Sequence, residues 1–121
     1  MKTRPSIPNA IILDKTKQLE RFQNLSLRPI IKSLNDLLFV YFQHYAVLKK
    51  NDLMNATDAE KNKFITTAFL KDHQLKNEVK GIVIGHFSVE EYVFYKNATK
   101  EINKRILGIT KQRILRFFCK F

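Results

Sequence analysis

The chain has 121 residues, 45% apolar and 27% charged, with three glycines, three prolines, one cysteine and a formal net charge of +11. That length fits one domain able to bury about two thirds of its unfolded surface, and a lone cysteine excludes an internal disulfide, so a cytoplasmic setting is expected. Its apolar runs are too short for a signal peptide or for a membrane span, which needs roughly twenty residues.

Residues 1–13 contain Pro5 and Pro8 and show no helical period, which reads as an extended basic arm before a helical domain over residues 14–121. Scarce glycine and proline, with no long apolar–polar alternation, predict an all-α single-domain bundle of four or five helices. The first helix is expected from Asp14, which can cap it, with Leu19, Phe22 and Leu25 or Ser26 inward. Pro29 then interrupts or restarts the helix, because its ring crowds the preceding turn and offers no amide hydrogen. From Ile30 an apolar stripe runs through Leu34, Leu37, Leu38, Tyr41, Tyr45 and Leu48, while Phe39, Val40, Ala46 and Val47 cover the other side. Residues 37–48, apolar nearly all round, are therefore expected at the centre of the fold, with a dimer interface as the competing explanation.

Thr57 and Glu60 match a capping box, in which each side chain accepts the other's backbone N–H. A helix follows from Asp58 to about Lys71 or Asp72, with Phe64, Ile65, Ala68 and Phe69 inward. Asp72 can cap the next segment, residues 73–87, which turns Leu75, Val79, Ile82 and Val83 inward. The run Gly81-Ile82-Val83-Ile84-Gly85 fits a buried strand or a helix. Helix is preferred because no second strand is available, and two glycines one turn apart let another helix approach. Ser88 and Glu91 form a second capping box, with Phe87 and Tyr92 as a hydrophobic staple, so a terminal helix is expected from Val89. Tyr95, Ala98, Ile102, Ile106, Ile109 and Phe117 share its inner face.

Residues 96–121 carry eight Lys or Arg against one acid, Glu101. On one continuous helix Lys96, Lys100, Lys104 and Lys111 fall within an arc of roughly eighty degrees. With Arg116 and Lys120 they are the expected anion contacts, since each can neutralise a phosphate and release a counterion. Arg113 near the apolar face and Arg28 before Pro29 are read as members of partly buried ion pairs, with Glu101 or Glu20 as partners. Phe117, Phe118 and Phe121 among Arg113, Arg116 and Lys120 also resemble a small membrane-surface element. No catalytic residue, metal site or cofactor is expected. His44, His73 and His86 lack ligand spacing, Cys119 has no histidine beside it, and the glycines at 81 and 85 lack the lysine of a phosphate loop.

One resemblance adds to this. Arg21-Phe22-Gln23-Asn24, Leu27-Arg28-Pro29-Ile30-Ile31-Lys32, Lys71-Asp72, Gly81, Glu90-Glu91-Tyr92, Tyr95, Asn97 and Glu101-Ile102-Asn103-Lys104-Arg105-Ile106 resemble a family of short basic bacterial proteins of unestablished function, sometimes labelled glyoxalase. The likeness runs from about residue 15 to 115 and implies a polar set, Asn24, Arg28, Asn97, Glu101, Asn103 and Arg105, forming a buried network or a recognition site. Metal-dependent glyoxalases are built from paired βαβββ units with His and Glu ligands on strands, and this sequence offers neither.

The expected function is a non-enzymatic binding module for an anionic partner, RNA, the ribosome or DNA, through the lysine-rich C-terminal helix. An acidic protein or a membrane surface answers to the same charge. The alternatives are a protein-interaction or homo-oligomeric scaffold, such as a homodimer through Phe39, Val40 and Val47, and a small enzyme using Arg28, Asn97 and Glu101.

Overall fold

Backbone groups at helix ends need partners, and the side chains that supply them fix where three helices in the middle of this chain begin. The computed structural model describes the backbone of residues 8–119 and the side chains of residues 14–119, so Lys120 and residues 1–7 of the expected arm lie outside the described residues. Helix α1 spans Pro8–Phe22, which moves its start ahead of Asp14. Proline suits a first helical position, where no intrahelical partner exists for an amide hydrogen.

Gln23–Leu27 form a π-helical turn, and α2, Arg28–Ser33, follows directly. The Arg28 amide reaches back five residues to the Gln23 carbonyl. That wide turn accommodates Pro29, whose ring would crowd the carbonyl four residues back in a regular helix. A second break falls at Leu34, after which α3 runs Asn35–Leu48. It ends with the Lys50 amide on the Val47 carbonyl and the Asn51 amide on that of Ala46, a Schellman closure with Lys50 at φ 57° where glycine is usual.

A short 3-10 turn, Leu53–Asn55, leads to α4, Asp58–Lys71, which opens on the Thr57–Glu60 capping box with bonds of 2.8 and 3.1 Å. Asp72 closes α4 and caps α5, His73–Ile84, by accepting from the Leu75 amide at 3.1 Å. Residues 81–84 are therefore helical, as preferred. Their glycines do not serve close helix approach, because a Cβ at Gly81 meets nothing within 4 Å and one at Gly85 meets the carbonyl of Gly81 itself. Helix α6, Val89–Lys96, opens on the Ser88–Glu91 box. Phe87 packs against Phe22 and Tyr95, each edge-on.

The expected continuous terminal helix is broken. Asn97 donates to the Val93 carbonyl and the Thr99 hydroxyl to those of Tyr95 and Lys96, so short polar side chains take acceptors that a continuing backbone would use. The chain turns at Ala98, and α7 runs Thr99–Phe118.

All described elements are helical, and the chain forms one all-α domain. Its axis is α7, which packs against α2, α3, α4, α5 and α6. Ile102, Ile106 and Ile109 join Leu27, Ile31, Leu38 and Val83 in one half of the core. Ile114, Leu115 and Phe118 join Phe42, Ile65, Leu75 and Val79 in the other. Thr110, fully buried on α7, returns its hydroxyl to the Ile106 carbonyl at 2.8 Å. Helix α3 is thus flanking rather than central. Its inward row is Leu38, Phe42 and Ala46, and Leu37, Val40, Val47 and Leu48 are exposed. Phe117 likewise faces outward while Phe118 is buried. Among the described residues no helix is long and apolar enough to cross a membrane.

The Tyr45 hydroxyl donates to Asp72 at 2.7 Å, and with the Leu75 amide it holds the Asp72 carboxyl below the usual carboxylate range. A carboxyl depressed in the folded state stabilises above its unfolded value, near 3.9, and loses that contribution as pH falls through the folded value. Asp72→Ala is expected to lower the unfolding free energy by about 1 kcal/mol at pH 7, with the gap to the parent narrowing below about pH 4, in urea titrations. Gly81→Ala, in an exposed helix interior with room for the methyl group, is expected to raise it by about 0.5–1 kcal/mol.

Candidate anion-binding cleft

Arg105, Arg113 and Arg116 stand eight and three residues apart on α7, and at about 100° per residue they fall within roughly 80° of one another. Across from them the Pro29-induced π turn and α2 present Gln23 and Arg28, and α3 presents Asn35 and Phe39. Together they line a cleft of about 650 Å³, completed by Gly108, Ile109, Gln112 and Phe117. Four guanidinium-bearing side chains share this cleft, and among the described residues no carboxylate lines it.

The partners these arginines have are neutral. Arg105 donates to the Gln23 side-chain oxygen at 2.8 Å, Arg28 to Asn24 at 3.3 Å and Arg113 to Asn35 at 3.4 Å. None of the four is ion-paired with a described residue, and Arg116 bonds to no described residue at all. An amide oxygen orients a guanidinium without cancelling its charge. The ion pairs expected for Arg28 and Arg113 are therefore replaced by amide contacts, because Glu101 turns instead to Lys15, at 3.4 Å, on the surface. The cleft keeps its positive charge, and the like charges gathered there repel one another.

The lysines lie elsewhere. Lys96 belongs to α6, so the break at residues 97 and 98 removes it from the stripe. Lys100 and Lys104 are exposed on α7, roughly 100° or more round the helix from the three arginines. Lys111 is half-buried and lines a separate small depression with Phe69, Leu70 and Leu107. Of the expected anion contacts only Arg116 lines the cleft, and Lys120 lies outside the described residues.

The polar set divides as well. Asn103 accepts from the Tyr95 hydroxyl at 2.7 Å, Asn97 donates to its own helix, Asn24 orients Arg28 and Glu101 holds Lys15. Only Arg28 and Arg105 share the cleft. The spacing of Arg105, Arg113 and Arg116 was the available signal for this face, whereas Gln23, Asn35 and Phe39 reach it only through the fold.

Acidic groups collect in another cleft, of about 670 Å³, where Tyr45 and Tyr41 donate to Asp72 and Glu78. Burial first and then these hydrogen bonds push both phenols above their usual range. Among the described residues no three His, Cys, Asp or Glu side chains converge as a metal site requires. Burial also pushes the Cys119 thiol up, which disfavours its thiolate form.

Charge crowding without pairing makes a stability prediction. Arg116→Gln is expected to leave the unfolding free energy within about 0.5 kcal/mol and to raise it slightly at low salt. Arg105→Gln, which loses the bond to Gln23, is expected to cost about 1 kcal/mol. Urea midpoints at low and physiological salt check both. No family model matches the chain, and no curated protein or solved structure matches it.

Proposed function

We propose that this chain is a non-enzymatic binding module for an anionic partner, a nucleic acid free or within a ribosomal surface, and that the partner's phosphates enter the arginine cleft. The observation that carries this reading is the set of four arginines around one concavity, three of them oriented by neutral amides and none paired with a carboxylate among the described residues. A guanidinium fork matches two phosphate oxygens at once, which a lysine ammonium does not. The net charge of +11 adds long-range attraction, and the exposed Lys100 and Lys104 contribute to that field rather than to the cleft.

The test is binding of a labelled, unstructured RNA measured by fluorescence anisotropy across a salt series. Affinity is expected to fall steeply with salt, and each of Arg105→Gln and Arg113→Gln to reduce the slope of log affinity against log salt by about 0.7, one phosphate's share on a single strand. Lys100→Gln and Lys104→Gln are expected to weaken binding less. Gly108→Leu is the charge-neutral control, because a side chain built there projects into open space at the cleft wall. It is expected to weaken binding although no charge is removed. Binding absent at low salt, or indifferent to the arginines, would overturn the reading.

One observation favours a scaffold reading beside it. Val40 and Val47 are 62% and 70% exposed on the outer side of α3. Light scattering distinguishes the two: a stable dimer abolished by Val40→Asp would favour self-association through this face.

A further inference from the structure

The cleft wall is not purely cationic. Phe39 and Phe117 line it, their rings stacked at 3.8 Å between centroids and 17° between planes. Phe117 also meets Phe118 edge-on at 4.9 Å, yet it remains 50% exposed. An aromatic ring held rigidly by a stacked partner, half open to solvent and set beside unpaired guanidinium groups, is costly to leave in water. Phosphate alone gives that ring nothing to bind.

A nucleotide does both, offering a π face and an anion on one flexible unit. Base-on-ring stacking needs an unpaired base, because a duplex hides its base faces in its own stack and presents only groove edges and phosphates. Size points the same way. A cleft of about 650 Å³ is in the range of roughly 300–1,000 Å³ that enclosed small ligands occupy, so it admits a nucleotide or two but no double helix. The other components suit a strand: Arg28 on one wall and Arg105, Arg113 and Arg116 on the other can grip successive phosphates, and the exposed backbone at Gly108 admits close approach.

Resting on the anion-binding reading above, we infer that the cleft takes a single-stranded nucleic acid, with phosphates on the four arginines and an unpaired base against Phe117. Sequence preference is weak in this arrangement, since every base has a π face and two of the cleft's amides, Gln23 and Asn35, are already engaged by arginines.

Three probes test it by anisotropy at one fixed salt concentration: an unstructured RNA oligonucleotide, the same sequence annealed to its complement, and a free nucleoside triphosphate competing against the oligonucleotide. The proteins are the parent, Phe117→Leu, and Arg113→Lys, each checked for the parent's helical content and melting behaviour. The single strand is expected to bind at least ten-fold more tightly than the duplex. Phe117→Leu, which keeps an apolar side chain on Phe39, is expected to weaken the single strand at least five-fold and to leave the duplex unchanged. Arg113→Lys is expected to weaken binding with the charge retained, because the fork is lost. The free nucleotide is expected to compete only at concentrations far above that of the oligonucleotide, having one unit where the strand has several.

Equal affinity for duplex and single strand, or no effect of Phe117→Leu, would overturn the strand assignment and leave anion binding standing. Competition by the free nucleotide as strong as that of the strand would overturn it in favour of a nucleotide site. Failure of every probe to bind would overturn both proposals together.

Discussion

The structure depends on the burial of one face of α7. Ile102, Ile106, Ile109 and Ile114 run through both halves of the core, and helices from the rest of the chain lay their apolar sides against this row. A helix used in this way has its inner face committed to packing, so its charged residues are sorted onto what remains. Arg105, Arg113 and Arg116 emerge at the margin facing α2 and α3, where a groove is left between helices. Lys100 and Lys104 emerge on the outer side. The difference between a concave cationic site and a merely solvated basic face therefore comes from the angular position of each residue around a buried helix, not from the count of charges.

The second determinant is Pro29. Its intolerance of a regular helical turn opens the chain into the π turn at Gln23–Leu27, and that turn brings Gln23 and Arg28 to the opposite wall. A backbone defect thereby becomes part of the site: Gln23 holds Arg105 across the groove, over a separation of 82 residues. Similar contacts from Asn24 and Asn35 hold Arg28 and Arg113 with their charge intact. Carboxylates in the same positions would bind them more strongly and cancel the potential. The chain instead keeps Glu101 on Lys15 and its tyrosine-bound acids in a separate cleft.

Much of the fold was legible because capping chemistry is local. Thr57–Glu60, Asp72 and Ser88–Glu91 each act within three residues, and all cap as their spacing requires. The breaks at Leu34 and Ala98 were harder to read, since there the hydroxyls of Ser33 and Thr99 compete for the carbonyls of Ile30 and Tyr95 against a stripe that looks continuous. Helix α3 misled through its own composition: with apolar residues on every side, the sequence pattern cannot single out Leu38, Phe42 and Ala46 as the inward row. The site was legible in fragments. Arg28, Arg105, Arg113 and Arg116 each stood out, but never all four as one grouping, because their convergence is a property of how α2, α3 and α7 pack. The lysines drew more notice from the linear sequence because a charge stripe shows without tertiary structure, whereas a cleft does not.

The central claim is that the arginine cleft, and not the outer lysine face, is where an anion is held. It is tested most directly by following the side-chain Nε–Hε resonances of the arginines and the backbone amides of α7 by NMR while an unstructured RNA is added. The account predicts that Arg28, Arg105, Arg113 and Arg116 shift together and saturably, with the Phe117 ring protons moving upfield and the amides of Lys100 and Lys104 little changed. Shifts concentrated at Lys100 and Lys104, with the four guanidinium signals unmoved, would contradict it.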